Sequence, residues 1–506
     1  MMSTIRVLQA ADEGRLELES IVEVLSAQFS VATGSKQLVR RRRLDTFDRR
    51  LHAAGLTLED QVVAREERLV LGLPDGSATV AVSVMDLRWP ALAGVLPSGP
   101  VRDEVAAVVG VRALMVSSDE RRRIRRLDLR NGDAKTVARV ELDEPASVSA
   151  VASPARLTVR ELRGYHEQAR RAGRLLVGLG LRGVKGGQDQ EPGSVQKTVV
   201  TDRAVPARVL LALALSEFLA AIRENLPGLL DDVDTEFLHD FRVAVRRTRA
   251  TLKLGRPALS EVMGSRWEPA FKSLGDLTTP VRDLDVYLLG LPSMSRWLVT
   301  ADPRDLDPLA AHLRVRRSVA RRGLVASLRS ATFRRLLTQW AQELATLLDA
   351  PEAGDRKSFS AGRLADRSIS RAYARVARGG ALIGADSPAG DLHELRKRCK
   401  ELRYALEVFA PLIDHAARRR AVADLKDLQD VLGRFQDCEV QRRAMRGFAE
   451  EMMVQGTTAG AVLAMGELIG HLDVEQERAR REFDGAFTRF ERPSSLALMH
   501  QLGGAR

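Results

Sequence analysis

One stretch of this chain is written twice. Residues 238–257 read LHDFRVAVRRTRATLKLGRP, and residues 392–411 read LHELRKRCKELRYALEVFAP. A shift of 154 residues lays His239 on His393, Arg242 on Arg396, Arg246 on Lys400 and Arg249 on Arg403. Without a gap, the same shift lays Lys272 on Lys426, Leu274 on Leu428, Asp276 on Asp430, and 283–286 (DLDV) on 437–440 (DCEV). Matches so far apart at one fixed offset predict two copies of a single helical unit.

Each copy is free of proline until its end and rich in Leu, Ala, Arg and Lys, which favours helix. At 100° per residue, positions i, i+3, i+7, i+10 and i+14 share an arc of about 80°. In the first copy these are His239, Arg242, Arg246, Arg249 and Lys253; in the second they are His393, Arg396, Lys400, Arg403 and Glu407. Leu238, Phe241, Val245 and Leu252 occupy an adjoining sector, as do Leu392, Leu395, Cys399, Leu402 and Leu406. A third sector, with Asp240, Arg247, Glu394 and Glu401, is mixed in sign and is read as the solvated side. The basic stripe thus borders the apolar face. Clustered like charge costs stability through self-repulsion, so its recurrence predicts an anion site. Fourteen residues at 1.5 Å rise give a stripe of roughly 21 Å, a length suited to a polyanion. Arg offers a planar donor fork to phosphate oxygens and Lys a compact charge. A His among cations is expected to stay neutral near pH 7 and still to donate from one ring nitrogen.

These residues resemble the CHAD domain, the conserved-histidine α-helical domain. Its first signature, H-x-x-R-V-x-x-R-R-x-R, is met at 239–249, and its second, L-H-x-L-R-x-x-x-K-x-L-R-Y-x-x-E, at 392–407. The resemblance covers roughly 204–490. It implies an all-α domain of two pseudo-symmetric four-helix bundles, about 204–349 and 358–490, whose basic residues line a central cleft that binds inorganic polyphosphate. The candidate polyphosphate-binding residues are His239, Arg242, Arg246, Arg249, Lys253, Lys272, His393, Arg396, Lys400, Arg403 and Lys426.

A chain of 506 residues predicts two or three domains, each able to bury a core. A net charge of +12 attracts anions: polyphosphate, nucleic acid or acidic membrane. Aromatics at 4% count against single-stranded nucleic acid, whose bases stack on exposed rings. Cys399 and Cys438 have apolar repeat partners, Val245 and Leu284, and are read as buried core thiols of a reducing compartment. No secretory-type start and no apolar run of eighteen residues is found, which predicts a soluble cytoplasmic protein.

Residues 1–181 read as an antiparallel α+β domain. Short β-like runs at 68–74, 79–84, 126–130, 136–142 and 157–162 lie close to turn residues, with Asn131-Gly132 between two of them. A helix is expected at 165–177. Residues 44–58, LDTFDRRLHAAGLTL, resemble the Y-D-T-x-x-x-x-L-x-x-x-G-x-x-L segment of the CYTH family, the triphosphate-tunnel fold, at Asp45, Thr46, Leu51, Gly55 and Leu58. The runs at 121–123 and 141–143 loosely resemble the family's later arginine and acidic strands. That resemblance implies a barrel in which carboxylates hold a divalent metal and cations hold a triphosphate. Leu44 replaces the motif's Tyr. The opening E-x-E-x-K is absent: residues 17–21 have the acids without the Lys, and 5–7 have no acids. Val159 stands where the first of a later acid pair belongs, leaving Glu161, and Gly72 stands where a strand Lys belongs. The expectation is a CYTH-like fold with no catalytic residues, metal site or cofactor.

The G-x-G-x-x-G string at 178–183 follows a helical pattern, so it is read as a helix end entering a linker at 182–203. Beyond it, 204–493 is helical. A helix opened by Pro206 is expected to close at Pro227-Gly228, a cation-rich helical segment spans 314–335, residues 350–362 join the two units, and 494–506 form a tail. Asp283, Asp285, Asp437 and Glu439 are expected in salt bridges. Arg367, Arg371, Arg375 and Arg378 recur at helical spacing, as an extension of the lining or a solvated face. The leading reading is a non-enzymatic polyphosphate binder, with granule targeting implied by the CHAD resemblance. The alternatives are a metal-dependent triphosphatase served by a polyphosphate-binding helical domain, and a nucleic-acid binder.

Overall fold

A computed structural model describes residues 5–10, 17–73, 80–146, 155–179, 181–183, 201–349 and 360–492, with 495 and 497. The 184–200 part of the expected linker, most of the 350–362 join and most of the tail lie outside the described residues. The chain divides into two compact units, Met1–Val195 and Gln196–Arg506. Among the described residues no helix is long and apolar enough to cross a membrane.

The first unit is an antiparallel sheet with helices packed on it. Its strands are β1 (Ile5–Ala10), β2 (Ser30–Asp45), β3 (Thr57–Val63), β4 (Glu66–Gly72), β5 (Val80–Val84), β6 (Ala91–Leu92), β7 (Ala113–Arg130), β8 (Thr136–Pro145), β9 (Arg156–Glu161) and β10 (Leu181–Gly183). They pair in the order β10-β1-β9-β8-β7-β2-β3-β4-β5, with β6 on β7. Leu127, Leu129, Val140, Leu142, Leu157 and Val159 form one apolar patch, covered by α1 (Leu18–Ser26) and α4 (His166–Val177) through Ile21, Leu25, Ala172 and Leu176. A second patch, with Leu44, Leu58, Leu69 and Leu71, meets Leu51 of α2 (Arg50–Ala53) and Val101, Val105 and Val109 of α3 (Pro100–Val109).

The structure adds three local details. Glu17 and Glu19 do not open a strand: Leu18, Ile21, Val22 and Leu25 repeat at helical spacing, and Ile21 and Leu25 are buried as one face of α1. The first strand is β1, at the acid-free alternative. Gly178 ends α4 as read, but 181–183 then add a strand to β1. The Asn131-Gly132 connection is a loop of five residues in which the Asn131 Oδ1 accepts the N–H of Asp133 and of Lys135 (3.1 and 3.0 Å).

The second unit is all helical: α5 (Ala207–Asp231), α6 (Thr235–Gly255), α7 (Glu261–Met294), α8 (Asp307–Leu328), α9 (Ala331–Asp349), α10 (Ala361–Gly380), α11 (Ala389–Val408), α12 (His415–Val454) and α13 (Ala459–Phe490). The 154-residue shift carries the first residues of α5, α6 and α7 onto those of α10, α11 and α12. Caps repeat as well: Ser260 accepts the N–H of Met263, and its counterpart Asp414 that of Ala417. Contrary to expectation, α5 runs through Pro227 for another turn. Bare Gly228 lies against the Phe237 ring there, where an added Cβ would stand 2.5 Å away, so packing holds the turn beyond the proline.

The 314–335 segment also differs, because the helix breaks after Leu328. The Ser330 hydroxyl accepts the N–H of Phe333 and starts α9. The first copy therefore has five helices where four were expected. The α8–α9 pair takes the place of α13: α9 packs on α5, as the end of α13 packs on α10 through Phe490 and Tyr373 (centroids 5.3 Å).

The two copies meet about a pseudo-twofold axis. Pro206 forms an isolated bridge with its own counterpart, Ser360. Arg247 pairs with Glu407 (3.1 Å), while Lys253, the counterpart of Glu407, pairs with Glu401, the counterpart of Arg247 (2.5 Å). Such crosswise pairs are the signature of an isologous contact. Leu284, Leu291 and Met294 of α7 share one core with Met445, Phe448 and Met452 of α12.

Candidate anion-binding cleft

Helices α6 and α11 touch along this axis, and the ends of their apolar arcs fix which residues face the space beside the contact. Phe241, Val245 and Leu252, like Leu395, Cys399 and Leu402, are buried. The neighbouring arcs open on a cleft of about 840 Å³. Arg246, Arg247, Arg396, Lys400, Arg403 and Arg434 supply its cations, and Asp240, Glu407, Asp430 and Asp437 its acids. His239, Tyr404, Gln429 and Gly433 also line it.

Of the residues expected from sequence, His239, Arg246, Arg396, Lys400 and Arg403 are gathered here. The other six are not among the lining residues. Arg242 donates to the Gly275 carbonyl (3.0 Å) and to the Thr278 and Thr279 hydroxyls (2.7 and 2.9 Å), so its charge is spent on α7. Arg249 packs beside Gly275, Lys253 is held by Glu401, and Lys426 by Asp430 (2.9 Å). The Nδ1 of His393 meets the Gln436 Oε1 at 2.7 Å, and Lys272 is exposed outside the cleft. The sector read as solvated is partly an interface, since Arg247 and Glu401 join the two copies.

The two copies therefore line the cleft unequally, for a local reason. The shift turns Thr278 and Thr279 into Leu432 and Gly433. With no hydroxyl to hold it, Arg396 lies over Gly433, reaches Asp437 (3.2 Å) and faces the cleft. Arg434 and Gly433 escaped the sequence reading because their counterparts are Pro280 and Thr279, so the repeat carries no signal for them.

Burial, then the nearby charges of Arg396 and Arg246, push the Lys400 ammonium down to about 8, against the pull of Asp437. Burial and the Arg282 charge hold His239 below its ordinary value, consistent with a neutral ring. The arrangement offers forked and point-like donors at close quarters with a deficit of counter-charge, which suits an extended anion. Cys399 and Cys438 are free and buried, and burial pushes the Cys399 thiol up to about 12. Asp285 pairs with Arg317 (2.5 Å), Asp437 with Arg396 and Glu439 with Arg443 (3.2 Å), as salt bridges were expected; Asp283 lies near Arg242 and Arg282.

In the first unit, the sheet face opposite the α1–α4 patch is polar. Arg41, Arg43, Ser118, Glu120, Arg122 and Arg156 surround a small cavity. The two oxygens of Asp143 accept from Arg122 Nε and Arg41 Nη1 (both 2.7 Å), Glu120 pairs with Arg122 (3.1 Å) and Glu59 with Arg41 (3.1 Å). Val159 is buried in the apolar patch, and Glu161 pairs with His166 (3.1 Å). The aspartate of the 44–58 segment serves as a cap: Asp45 accepts the N–H of Thr46, Leu51 and His52. Among the described residues no group of three His, Cys, Asp or Glu side chains is placed to share a metal ion.

Comparison with curated proteins finds no match. Among solved structures, the CHAD domain from the plant Ricinus communis is 24% identical, covering 63% of this chain and 98% of its own (TM-score 0.45). PptA from Streptomyces chartreusis is 19% identical, covering 56% and 99% (TM-score 0.43). HpAC1 from Hippeastrum, described as having a dominant triphosphatase activity, is 14% identical, covering 35% and 87% (TM-score 0.26). The family model of the CHAD domain matches residues 213–446, and the helical unit of this chain thus carries a CHAD domain.

Proposed function

We propose that the helical unit binds inorganic polyphosphate in the cleft beside the α6–α11 contact. The observation that carries this reading is the convergence of Arg246 and Arg247 from one copy with Arg396, Lys400 and Arg403 from the other around one space. A bound polyanion would compete with Asp437 and Glu407 for these donors and would release counterions on doing so, so affinity should fall steeply with salt. Association with polyphosphate granules in the cytoplasm belongs to the same proposal. The test is calorimetric titration of the full chain with long-chain polyphosphate and, in competition, with duplex DNA. Preferential retention of DNA would replace the polyphosphate reading with a nucleic-acid one.

A second reading is favoured by the Arg41, Arg43, Arg122 and Arg156 cluster in the first unit: a metal-dependent triphosphatase to which the helical unit delivers substrate. Phosphate release by the full chain with Mg²⁺ or Mn²⁺ separates the two. Turnover lost in an Arg41→Ala, Arg122→Ala variant would put the enzyme first.

A further inference from the structure

Outside the cleft, a dense run of one charge lies on α10. Arg363, Arg367, Arg371, Arg375 and Arg378 are all exposed. Their spacing of four, four, four and three holds them within an arc of about 120° and along about 22 Å of helix. The repeat does not account for them: the 154-residue shift puts Val209, Leu213, Glu217, Ala221 and Glu224 at the matching places on α5. Nor does helix stability, since like charges four residues apart repel and a cation in the first turn, as at Arg363, opposes the macrodipole. Asp366, an acid of the same helix, is drawn aside by Arg203 (2.5 Å).

The stripe is joined to the cleft by a specific contact. Arg375 pairs with Glu401 (2.9 Å), the carboxylate that also receives Lys253 across the two copies (2.5 Å). Glu401 is the chain neighbour of Lys400 in the cleft lining. The arginine row thus meets the α6–α11 seam at Arg375, its fourth member, with Arg378 beyond it and the rest leading away along α10. We infer that a polyphosphate chain longer than the cleft leaves it past Glu401 and continues along Arg378, Arg371 and Arg363, so that α10 sets a preference for long chains. The inference rests on the cleft reading above.

The test compares the full chain with an R363Q/R367Q/R371Q/R378Q variant, Arg375 being kept for its bond to Glu401. Both are titrated with tripolyphosphate and with long-chain polyphosphate over a range of salt, and circular dichroism checks the fold. The variant should bind tripolyphosphate as before and long-chain polyphosphate about tenfold more weakly, with a log K against log salt slope shallower by up to about 3, since each lost contact removes about 0.7. The charge-keeping R363K/R367K/R371K/R378K form should retain the steep slope. Unchanged long-chain affinity and slope in the folded glutamine variant would overturn the track while leaving the cleft intact. Selective loss of duplex-DNA binding would overturn it too, by assigning the row to nucleic acid. A wild type that binds neither phosphate probe would take down the cleft reading together with the track.

Discussion

Arg242 and Arg396 occupy the same place in the two copies and do different work. Arg242 is built into α7 by three hydrogen bonds, whereas Arg396 faces the cleft. Arg396→Gln is therefore expected to weaken polyphosphate binding with little change in melting temperature. Arg242→Gln should instead lower stability by about 1–3 kcal/mol, because half-buried acceptors lose a charged donor; urea unfolding beside calorimetry checks both. Lys400 supplies a pH dependence. With its ammonium at about 8, it is charged at pH 7 and loses its charge as pH rises past 8, so affinity should fall between pH 7 and 9 and binding should take up protons near pH 8. Lys400→Arg, which stays charged, should abolish that uptake. At this scale the sequence was half informative. The repeat pointed to His239, Arg246, Arg396, Lys400 and Arg403, but the neutral-looking Thr278, Thr279 and Gly433 decide which arginine faces the cleft, and they lie more than thirty residues away along the chain.

The helices that carry these residues were legible where local chemistry sets them. The apolar arcs of α6 and α11 are buried as their spacing predicts, and Asp234, which the sequence reading did not single out, caps α6 by accepting the N–H groups of Glu236 and Phe237. Helix lengths were less so, because Pro227 and the break after Leu328 are settled by tertiary packing. Gly380 shows how close that packing is. A Cβ there would stand 1.9 Å from the Phe487 ring, pressing α10 against α13. Gly380→Ala should destabilise the helical unit by at least about 1–3 kcal/mol. Gly384→Ala, with nothing within 4 Å of the added carbon, is the control, and denaturant midpoints of the two variants test the difference.

The whole molecule pairs a charged antiparallel sheet unit with a duplicated helical unit. The duplication was plain in the sequence; the crosswise Arg247–Glu407 and Lys253–Glu401 pairs, which define its pseudo-twofold axis, depend on how the copies dock and left no local mark. These pairs contribute about 0–1 kcal/mol each, and of the two only Arg247–Glu407 lines the cleft. Glu407→Gln should free Arg247 and Arg403 and tighten polyphosphate binding at low salt without a change in melting temperature. The decisive titration is of long-chain polyphosphate into the wild type and into a variant with His239, Arg246, Lys400 and Arg403 all changed to Ala. A cleft that holds the polymer predicts a variant with unaltered circular dichroism and no measurable heat of binding; a folded variant that binds as tightly as the wild type would contradict it.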